Sequence, residues 1–274
     1  MSELAGRVAL VTGAGRGVGR ATALRLAREG VHIVANDLDL VPVEETVAAI
    51  RSIGGSALAA PGDITAADTP DTLITIATEA FGSLDIVVNN AGYIWNGAMH
   101  RHNDTQWQAM LDIHATAPFR ILRAWFPWLK ARALEEQERL GAPLCRKVVN
   151  VSSVSGTRGA ATQIAYATGK AAVIGLTRTL AREWGRYNVC VNCVAFGHIE
   201  TRLTQPYADD PPRIEVGGRE HRVGLTETQI EAVRLASPLG RAGTPEDGAG
   251  AIYLLCLPES DFITGEVLTC SGGA

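Results

Sequence analysis

The sequence predicts one doubly wound α/β domain, a parallel sheet covered by helices on both faces. Short runs of Val, Ile and Leu alternate with longer amphipathic stretches along the chain. Such continuous apolar runs are typical of parallel strands that are buried on both sides. The 274 residues, 46% hydrophobic and 20% charged, can bury a sizeable core without division. No repeat, low-complexity tract or linker is visible, so we expect residues 1–274 to form one domain.

The predicted elements follow one another in the order strand, helix, strand, joined by right-handed crossovers. The strands are predicted at 8–11, 32–35, 56–59, 86–88, 148–151, 189–194 and 267–269, and the helices at 19–29, 43–52, 70–81, 105–129, 164–183 and 245–257. Two segments break this alternation. The charged segment 131–143 is predicted to extend a helix as a solvated excursion. The Pro- and Gly-containing segment of about 202–237 is predicted to be a substrate lid.

Composition excludes several function classes. The net charge of −4 gives no basic stripe for nucleic acid. No apolar stretch approaches the roughly 20 residues that span a bilayer, so no membrane partner is expected. The first residues lack a signal-peptide pattern. We therefore expect a cytoplasmic protein.

The cysteines include a C-x-x-C pair, Cys190 and Cys193, inside an apolar run that reads as a buried strand. Residues three apart on a strand point to opposite faces, and no second ligand pair stands at metal-site spacing. The sequence therefore predicts no metal site. All five cysteines are interpreted as small structural thiols in a reducing compartment.

A glycine turn, residues 12–19, follows the first predicted strand and opens the first helix. Its glycines Gly13, Gly17 and Gly19 have the spacing G-x-x-x-G-x-G. Glycines at a strand-to-helix turn let the backbone approach a diphosphate, which then lies at the helix N-terminus. The turn therefore predicts a dinucleotide site.

Asp37 follows the second predicted strand. A carboxylate there accepts hydrogen bonds from an adenosine ribose and repels a 2′-phosphate, which favours NAD. The next residue is Leu38, which offers nothing to a phosphate, whereas Arg16 in the glycine turn favours NADP. A plain turn role for Asp37 is the remaining alternative.

Tyr166 and Lys170 stand four residues apart in a predicted helix, on one face and about one turn from each other. A nearby ammonium favours the phenolate, so Lys170 is expected to lower the pKa of Tyr166. Ser153 follows the predicted strand 148–151. The three side chains are predicted to converge on one substrate oxygen.

Together the motifs resemble the short-chain dehydrogenase/reductase family over nearly the whole chain. They are Thr12–Gly19, Asp63-Ile64, Asn89-Asn90-Ala91-Gly92, Ser153, Tyr166-x-x-x-Lys170 and Gly197-His198-Ile199-Glu200-Thr201. The resemblance implies a Rossmann-type fold with a seven-stranded parallel sheet and, commonly, a homotetramer.

The resemblance also assigns roles to single residues. It implies that Tyr166 is the general acid or base, that Lys170 also binds the nicotinamide ribose, and that Ser153 stabilises charge on the substrate oxygen. The implied cofactor contacts are made by Gly13, Arg16, Gly17, Val18, Gly19, Asp37, Asp63 and Ile64 at the adenosine and diphosphate, by Asn90, Ala91 and Gly92 near the ribose, and by Ile199 and Thr201 at the carboxamide.

Three positions depart from the family pattern. His114 stands where an asparagine usually supports a water relay, Phe196 replaces a proline, and Ser271 replaces an aspartate. The hydroxyacyl-CoA dehydrogenase part of peroxisomal multifunctional enzymes is similar in having histidine at the first position. His114 either relays protons and is catalytic, or only packs.

These observations predict an NAD(H)-dependent oxidoreductase that interconverts a secondary alcohol and a ketone of a small-molecule substrate. A hydroxyacyl thioester or a hydrophobic alcohol such as a hydroxysteroid is the expected substrate, with His198, Tyr93 and Trp95 as candidate wall residues. The alternatives are an NADPH-dependent 3-oxoacyl reductase and a non-catalytic dinucleotide-binding regulator.

Overall fold

The computed structural model describes residues 2–216 and 219–274. The strands are β1 (Val8–Thr12), β2 (His32–Asp37), β3 (Ala57–Pro61), β4 (Ile86–Asn89), β5 (Arg146–Ser153), β6 (Val189–Phe196), β7 (Pro206–Tyr207), β8 (Arg213–Val216), β9 (Arg219–Arg222), β10 (Leu225–Thr226) and β11 (Val267–Cys270). Seven of them form the main sheet in the order β11-β6-β5-β4-β1-β2-β3. All neighbours in this sheet are parallel. The predicted sheet is confirmed.

Helices cover both faces of the sheet. They are α1 (Gly17–Arg28), α2 (Leu40–Ser52), α3 (Thr69–Phe81), α4 (Asp104–Leu111), α5 (Ala117–Leu140), α6 (Val154–Arg158), α7 (Ile164–Trp184), α8 (Glu227–Ala236) and α9 (Pro245–Leu254). Apolar side chains of α1, α2 and α9 form one buried cluster with the strands, and those of α3, α5 and α7 form the other. The amphipathic pattern arises because each helix buries only the stripe that faces the sheet.

The strand order reverses beside β1, which lies between β2 and β4. In such a sheet the loops that follow neighbouring strands diverge to opposite faces and leave a crevice at the carboxyl ends. A ligand site is therefore expected above β1 and β4.

The region predicted as one helix at 105–129 is three elements. A π-helical turn, Asp112–Thr116, separates α4 from α5. A single-turn π insertion adds a residue to the helical repeat and is common at functional sites. The apolar periodicity of the sequence does not predict this insertion, because the helices on either side of it each keep an apolar buried face.

The prediction of a solvated excursion at 131–143 is wrong in one respect. The segment does extend α5, which ends at Leu140, but Glu136 and Arg146 are 2% and 1% exposed. The Arg146 guanidinium donates to Glu136 Oε2 and Oε1 at 2.9 and 2.7 Å. A buried ion pair therefore joins the end of α5 to the start of β5.

The predicted lid, 202–237, is more regular than its composition indicates. It contains a parallel β7–β10 pair, an antiparallel β8–β9 pair and α8. Thr226 caps α8 by accepting the Gln229 N–H at 3.3 Å, a capping box that defines the helix start. Gly217 and Gly218, which the lid prediction includes, lie outside the described residues.

Candidate active site

The residues selected from the sequence gather at the carboxyl edge of the sheet. Thr12 ends β1, Asp37 ends β2, Asn89 ends β4 and Ser153 ends β5. These strands are parallel and close together, so the loops that follow them form one surface. This surface borders the crevice beside β1.

The glycine turn has the backbone that its composition predicts. Gly13 and Gly17 have φ of 64° and 53°, values that residues with a side chain rarely adopt. A side chain at Gly19 would collide with the carbonyl of Gly13. Asn90 braces the turn, since its Nδ2 donates to Thr12 O at 2.9 Å and to Gly13 O at 3.3 Å.

The N-terminus of α1 fits a diphosphate. Among the described residues, no side chain caps this helix and its first turn carries no acidic group. The first backbone N–H groups of a helix lack intrahelical partners and lie at the positive end of the helix dipole. Val18 is buried against Gly248, which holds this end of the helix beside β6. An anionic group of a dinucleotide would satisfy these donors.

Asp37 is fixed by backbone donors. Its Oδ2 accepts the Gly15 N–H at 2.8 Å, and its Oδ1 accepts the Asp39 N–H at 3.2 Å. Arg16 forms an ion pair with Asp39 at 2.8 Å. The arginine that favours a 2′-phosphate therefore already has a carboxylate partner.

Arg202 adds a charge that the sequence analysis did not assign to this place. It begins the 3-10 turn Arg202–Thr204. Its pKa is lowered by burial and next by the charge of Arg16, whereas Asp39 and Asp37 act in the opposite direction. These charge interactions indicate that the start of the lid segment lies close to the end of β2. Its position directly after Thr201 was the available signal.

The predicted adenine residues follow β3, beside the end of β2. The exposed Asp63 accepts the Thr65 N–H and hydroxyl at 2.8 and 2.7 Å, which shapes the turn. Ile64 is buried. The Gly62 N–H donates to Asp37 O at 2.9 Å, so this turn and Asp37 form a continuous surface.

The loop after β6 meets the glycine turn. Thr204 Oγ1 accepts the Thr201 N–H and donates to Ile199 O, both at 2.9 Å. Ile199 pairs with Gly243 in an isolated bridge. A Cβ on Gly17 would lie 3.4 Å from Thr201 Cγ2. Thr201 therefore borders the glycine turn, and Ile199 is held in the same loop.

Ser153, Tyr166 and Lys170 converge, as the sequence predicts. Ser153 Oγ accepts the Ser155 N–H at 3.1 Å and is hydrogen-bonded to Tyr166, which lowers the phenol pKa. Lys170 Nζ donates to Val151 O at 2.8 Å and lies 5.8 Å from the centroid of the Tyr166 ring. The geometry comes from β5 and α7, since Ser152 Oγ also donates to Lys170 O at 2.6 Å.

Burial dominates the protonation of this group. It raises the pKa of Tyr166, and the hydrogen bond from Ser153 offsets only part of that rise. Burial also lowers the pKa of Lys170 to about 8. The pKa of Tyr166 is therefore raised on balance, although a nearby ammonium is expected to lower it. The Lys170 ammonium donates to a backbone carbonyl of β5 and lies 5.8 Å from the centroid of the Tyr166 ring.

His114 lies in the π-helical turn and is 3% exposed. Its Nε2 is 2.8 Å from Tyr93 O, and because a carbonyl only accepts, Nε2 carries the proton. Nδ1 is then a buried acceptor that has no partner in the described part of the chain. Burial, followed by the charge of Lys170, holds the pKa of His114 well below its usual value. The imidazole is therefore neutral.

Small residues make room for this histidine. A side chain at Gly92 would collide with the imidazole, and one at Gly169 would lie 2.9 Å from His114 Cβ. The ring meets Tyr166 edge-on, with centroids 5.0 Å apart and an interplanar angle of 88°. Ala91 completes the loop, since its N–H donates to Thr12 Oγ1 at 3.0 Å. The loop after β4 thus connects the glycine turn to the Tyr166 side chain.

Thr12 is a further residue that the motif alone did not explain. Its hydroxyl accepts the N–H groups of Asn90 and Ala91, both at 3.0 Å, and donates to Val88 O at 3.3 Å. One buried hydroxyl therefore holds the ends of β1 and β4 in register. The signal was its place immediately before the first glycine.

Neither a metal centre nor a membrane span is found in the residues that are described. In residues 2–216 and 219–274, no group of three His, Cys, Asp or Glu side chains could hold a metal ion. Across the same ranges, each helix is too short or too polar to cross a membrane.

Known proteins share both the sequence pattern and the fold. A family model described as short chain dehydrogenase matches residues 7–212. A 3-oxoacyl-[acyl-carrier-protein] reductase from Synechocystis is 34% identical over 275 residues, which cover 100% of this chain and 98% of the relative. A peroxisomal hydratase-dehydrogenase-epimerase from Neurospora crassa is 36% identical over 193 residues, 70% of this chain and 20% of that protein.

Two solved structures superpose with a TM-score of 0.82. One is a 3-ketoacyl-(acyl-carrier-protein) reductase from Brucella melitensis complexed with NADH, 27% identical, with 99% of each chain covered. The other is a putative NAD(P)-dependent gluconate 5-dehydrogenase from Beutenbergia cavernae with bound NADP. It is 29% identical, with 98% of this chain and 97% of that chain covered. The chain belongs to the short-chain dehydrogenase family and is an oxidoreductase acting on CH–OH or keto groups.

Proposed function

We propose that this protein is an NAD(H)-dependent oxidoreductase that interconverts a ketone and a secondary alcohol, with Tyr166 as general acid and base. The observation that carries the proposal is the hydrogen-bonded contact of Tyr166 with Ser153 above the buried Lys170. A phenol, a hydroxyl and an ammonium at the edge of a dinucleotide crevice are the groups that proton transfer at a carbonyl requires. The presence of all three disfavours a non-catalytic regulator.

In the reducing direction the Tyr166 hydroxyl gives its proton to the substrate carbonyl oxygen. Ser153 donates a hydrogen bond to the same oxygen and stabilises the negative charge that develops there. Lys170, whose pKa of about 8 leaves it largely protonated at neutral pH, offsets the charge left on the phenolate. The nicotinamide supplies the hydride when it is bound.

The Tyr166 hydroxyl is protonated at neutral pH, since the ordinary pKa of a phenol is about 10 and burial raises it further. A phenol that stays protonated at neutral pH is a ready proton donor, whereas alcohol oxidation needs the phenolate. We therefore propose that ketone reduction is the faster direction near neutral pH. Initial rates in both directions from about pH 6 to pH 10 test this, and faster oxidation at pH 7 would overturn it.

His114 is proposed to relay protons behind Tyr166. Its unpartnered Nδ1 is an acceptor within a buried region that also contains Lys170, and its Nε2–H donates to Tyr93 O, so the ring presents one acceptor and one donor to a proton relay. His114→Asn should then shift or flatten the pH–rate profile. An unchanged profile would support the packing role instead.

The cofactor is proposed to be NAD rather than NADP. The carboxylate of Asp37 supports this choice because it ends β2, where a negative charge would repel a 2′-phosphate, and because the Gly15 N–H holds it in place. Arg16 is engaged by Asp39. The proposed contacts are the glycine turn and α1 with the diphosphate, Asp63 and Ile64 with the adenine, Asn90, Ala91 and Gly92 near the ribose, Tyr166 and Lys170 with the nicotinamide ribose, and Ile199 and Thr201 with the carboxamide.

A 3-oxoacyl or 3-hydroxyacyl thioester is the proposed substrate class. The Synechocystis and Brucella relatives are named as reductases of such compounds, and Tyr93 and Trp95 are partly buried against the same apolar cluster as Tyr166. NADPH-dependent 3-oxoacyl reduction is the second candidate, favoured by the charge of Arg202 near Arg16. The lid, 202–237, is proposed to set substrate choice.

An absorbance screen at the reduced-nicotinamide band tests these proposals. The screen crosses both cofactors with oxoacyl thioesters, hydroxysteroids and simple ketones. We expect turnover with NADH and an oxoacyl thioester. An equal or higher kcat/KM with NADPH would contradict the proposed role of Asp37 in cofactor choice. Exchange of the lid with that of an NADPH-dependent relative tests substrate choice separately.

We also propose that the chain forms a homotetramer in the cytoplasm. The exposed apolar side chains of Phe262, in the turn that precedes β11, and of Leu268, within β11, support association as a homotetramer. Light scattering at micromolar concentration tests it, and a monomer would contradict it. The free cysteines are consistent with a cytoplasmic location, which cell fractionation tests.

A further inference from the structure

Two cysteines from distant parts of the sequence meet at the amino-terminal edge of the sheet, away from the candidate active site. Cys145 Sγ lies 3.7 Å from Cys190 Sγ. Cys145 immediately precedes β5, and Cys190 is the second residue of β6. The C-x-x-C spacing drew attention to Cys190 and Cys193, whereas the spatial neighbour of Cys190 is Cys145.

The backbone around this thiol pair is held in place. Arg7 Nη1 donates to Cys145 O at 3.2 Å, and the Cys190 thiol donates to Asp261 O at 3.3 Å. Because Cys145 lies outside the strand and is half-buried, its side chain can turn toward its neighbour without breaking the β5–β6 ladder. A disulfide needs sulfurs about 2.05 Å apart, so the 3.7 Å separation of the two sulfurs must shorten, and the part of the chain that can move is Cys145, which lies outside the ladder.

A buried ammonium stands beside the pair. Lys147 Nζ donates to Ser260 Oγ at 2.9 Å and forms an ion pair with Asp261 at 2.6 Å. The pKa of Cys190 is lowered, first because the Cys145 thiol donates to its sulfur and further because of the Lys147 charge, whereas burial and the charge of Asp261 act in the opposite direction. A thiolate is the nucleophilic form of cysteine.

We propose that Cys145 and Cys190 are a redox pair that a hydroperoxide converts into a reversible intramolecular disulfide joining β5 to β6. The sulfur contact, the loop position of Cys145 and the neighbouring Lys147 carry this assignment. It concerns the edge of the sheet opposite Ser153 and is independent of the proposed oxidoreductase chemistry.

The reaction balances with hydrogen peroxide as oxidant. The Cys190 thiolate attacks one peroxide oxygen, the O–O bond breaks, and Cys190 becomes a sulfenic acid as the first water leaves. The Cys145 sulfur then attacks the Cys190 sulfur, an S–S bond forms and the S–O bond breaks. The second water leaves with the Cys145 proton. Two thiols are oxidised, one peroxide is reduced, and a dithiol reverses the step by exchange.

The other cysteines lack these features. Burial raises the pKa of Cys193 to about 11 and that of Cys256 to about 12. Cys270 is half-buried, and burial raises its pKa as well. Cys270 therefore provides the matched control, because replacing it removes a half-buried thiol that does not belong to the pair.

The test treats the full chain with hydrogen peroxide, quenches with an alkylating agent in denaturant and measures the intact mass. We expect two fewer alkylated thiols, a peptide cross-link between Cys145 and Cys190, and recovery of both thiols with dithiothreitol. Cys145→Ser and Cys190→Ser should abolish the cross-link, and Cys270→Ser should retain it. Closing a loop between positions 45 apart should raise the Tm by roughly 5–15 °C.

Three results would overturn the proposal. They are five alkylated thiols after oxidation, a disulfide that links another pair, and the same loss of thiols in Cys145→Ser. If Cys190→Ser fails to fold, Cys145→Ser still tests the proposal, because Cys145 lies in a loop and its replacement should leave the fold intact. The readouts do not depend on turnover, so a failed activity screen would leave this test intact.

Discussion

Replacing Tyr166 with phenylalanine removes one hydroxyl and keeps the ring that meets His114 edge-on at 5.0 Å. The hydrogen bond with Ser153 is lost, and Ser153 Oγ keeps its bond from the Ser155 N–H. One hydrogen bond contributes about 1 kcal/mol to stability, so the variant should fold. If Tyr166 is the proton donor, kcat/KM should fall by about 10²–10⁴, which is roughly 3–5 kcal/mol of transition-state stabilisation.

The assay compares kcat/KM for the best substrate of the absorbance screen with the cofactor Kd from a fluorescence titration. Tyr187→Phe is the matched control, since Tyr187 is buried and its ring packs edge-on against Phe126 in the α5–α7 layer. We expect the control to keep wild-type turnover and both variants to keep the cofactor Kd within a few-fold. A Tyr166→Phe enzyme within tenfold of wild type would refute the acid–base role.

Three further predictions follow from the same geometry. Burial lowers the pKa of His114, so the unfolded chain takes up a proton that the folded chain does not as the pH falls below about 6.5. The free energy of unfolding, measured in urea titrations, should therefore fall between about pH 7 and pH 5 and should fall less in His114→Asn. Two results would contradict this: the same dependence of unfolding free energy on pH in His114→Asn as in the wild type, or a weaker dependence in the control His100→Asn, which replaces an exposed histidine. Asp39→Asn frees the arginine that it pairs with and should raise NADP use relative to NAD by several-fold in kcat/KM, so an unchanged ratio would show that this ion pair does not affect cofactor choice. Glu136→Gln removes the nearer of two carboxylates that face the buried Arg146, since Asp85 remains 3.6 Å away, and should cost about 1.5–3 kcal/mol of unfolding free energy in urea. The exposed Glu135→Gln should cost under about 1 kcal/mol, and similar losses for the two would rule out a special role for burial.

Local patterns were sufficient for the elements and for the main group of candidate residues. Continuous apolar runs predicted the strands because a parallel sheet buries both faces, and the four-residue spacing of Tyr166 and Lys170 placed them on one helix face. The same patterns did not reveal the π-helical turn at Asp112–Thr116 or the burial of Glu136. Both depend on partners in other elements, which no periodicity along one segment encodes.

The sequence by itself determined the doubly wound sheet, the glycine turn, the position of Asp37 at the end of β2 and the approach of Ser153 to Tyr166. The tertiary structure decided how these groups are charged and paired. Burial raises the pKa of Tyr166, although Lys170 was expected to lower it. The sulfur next to Cys190 is that of Cys145, whereas the C-x-x-C spacing had suggested Cys193. The physical reason is that chain order and residue type govern local geometry, whereas desolvation and contacts between distant segments exist only once the strands have assembled.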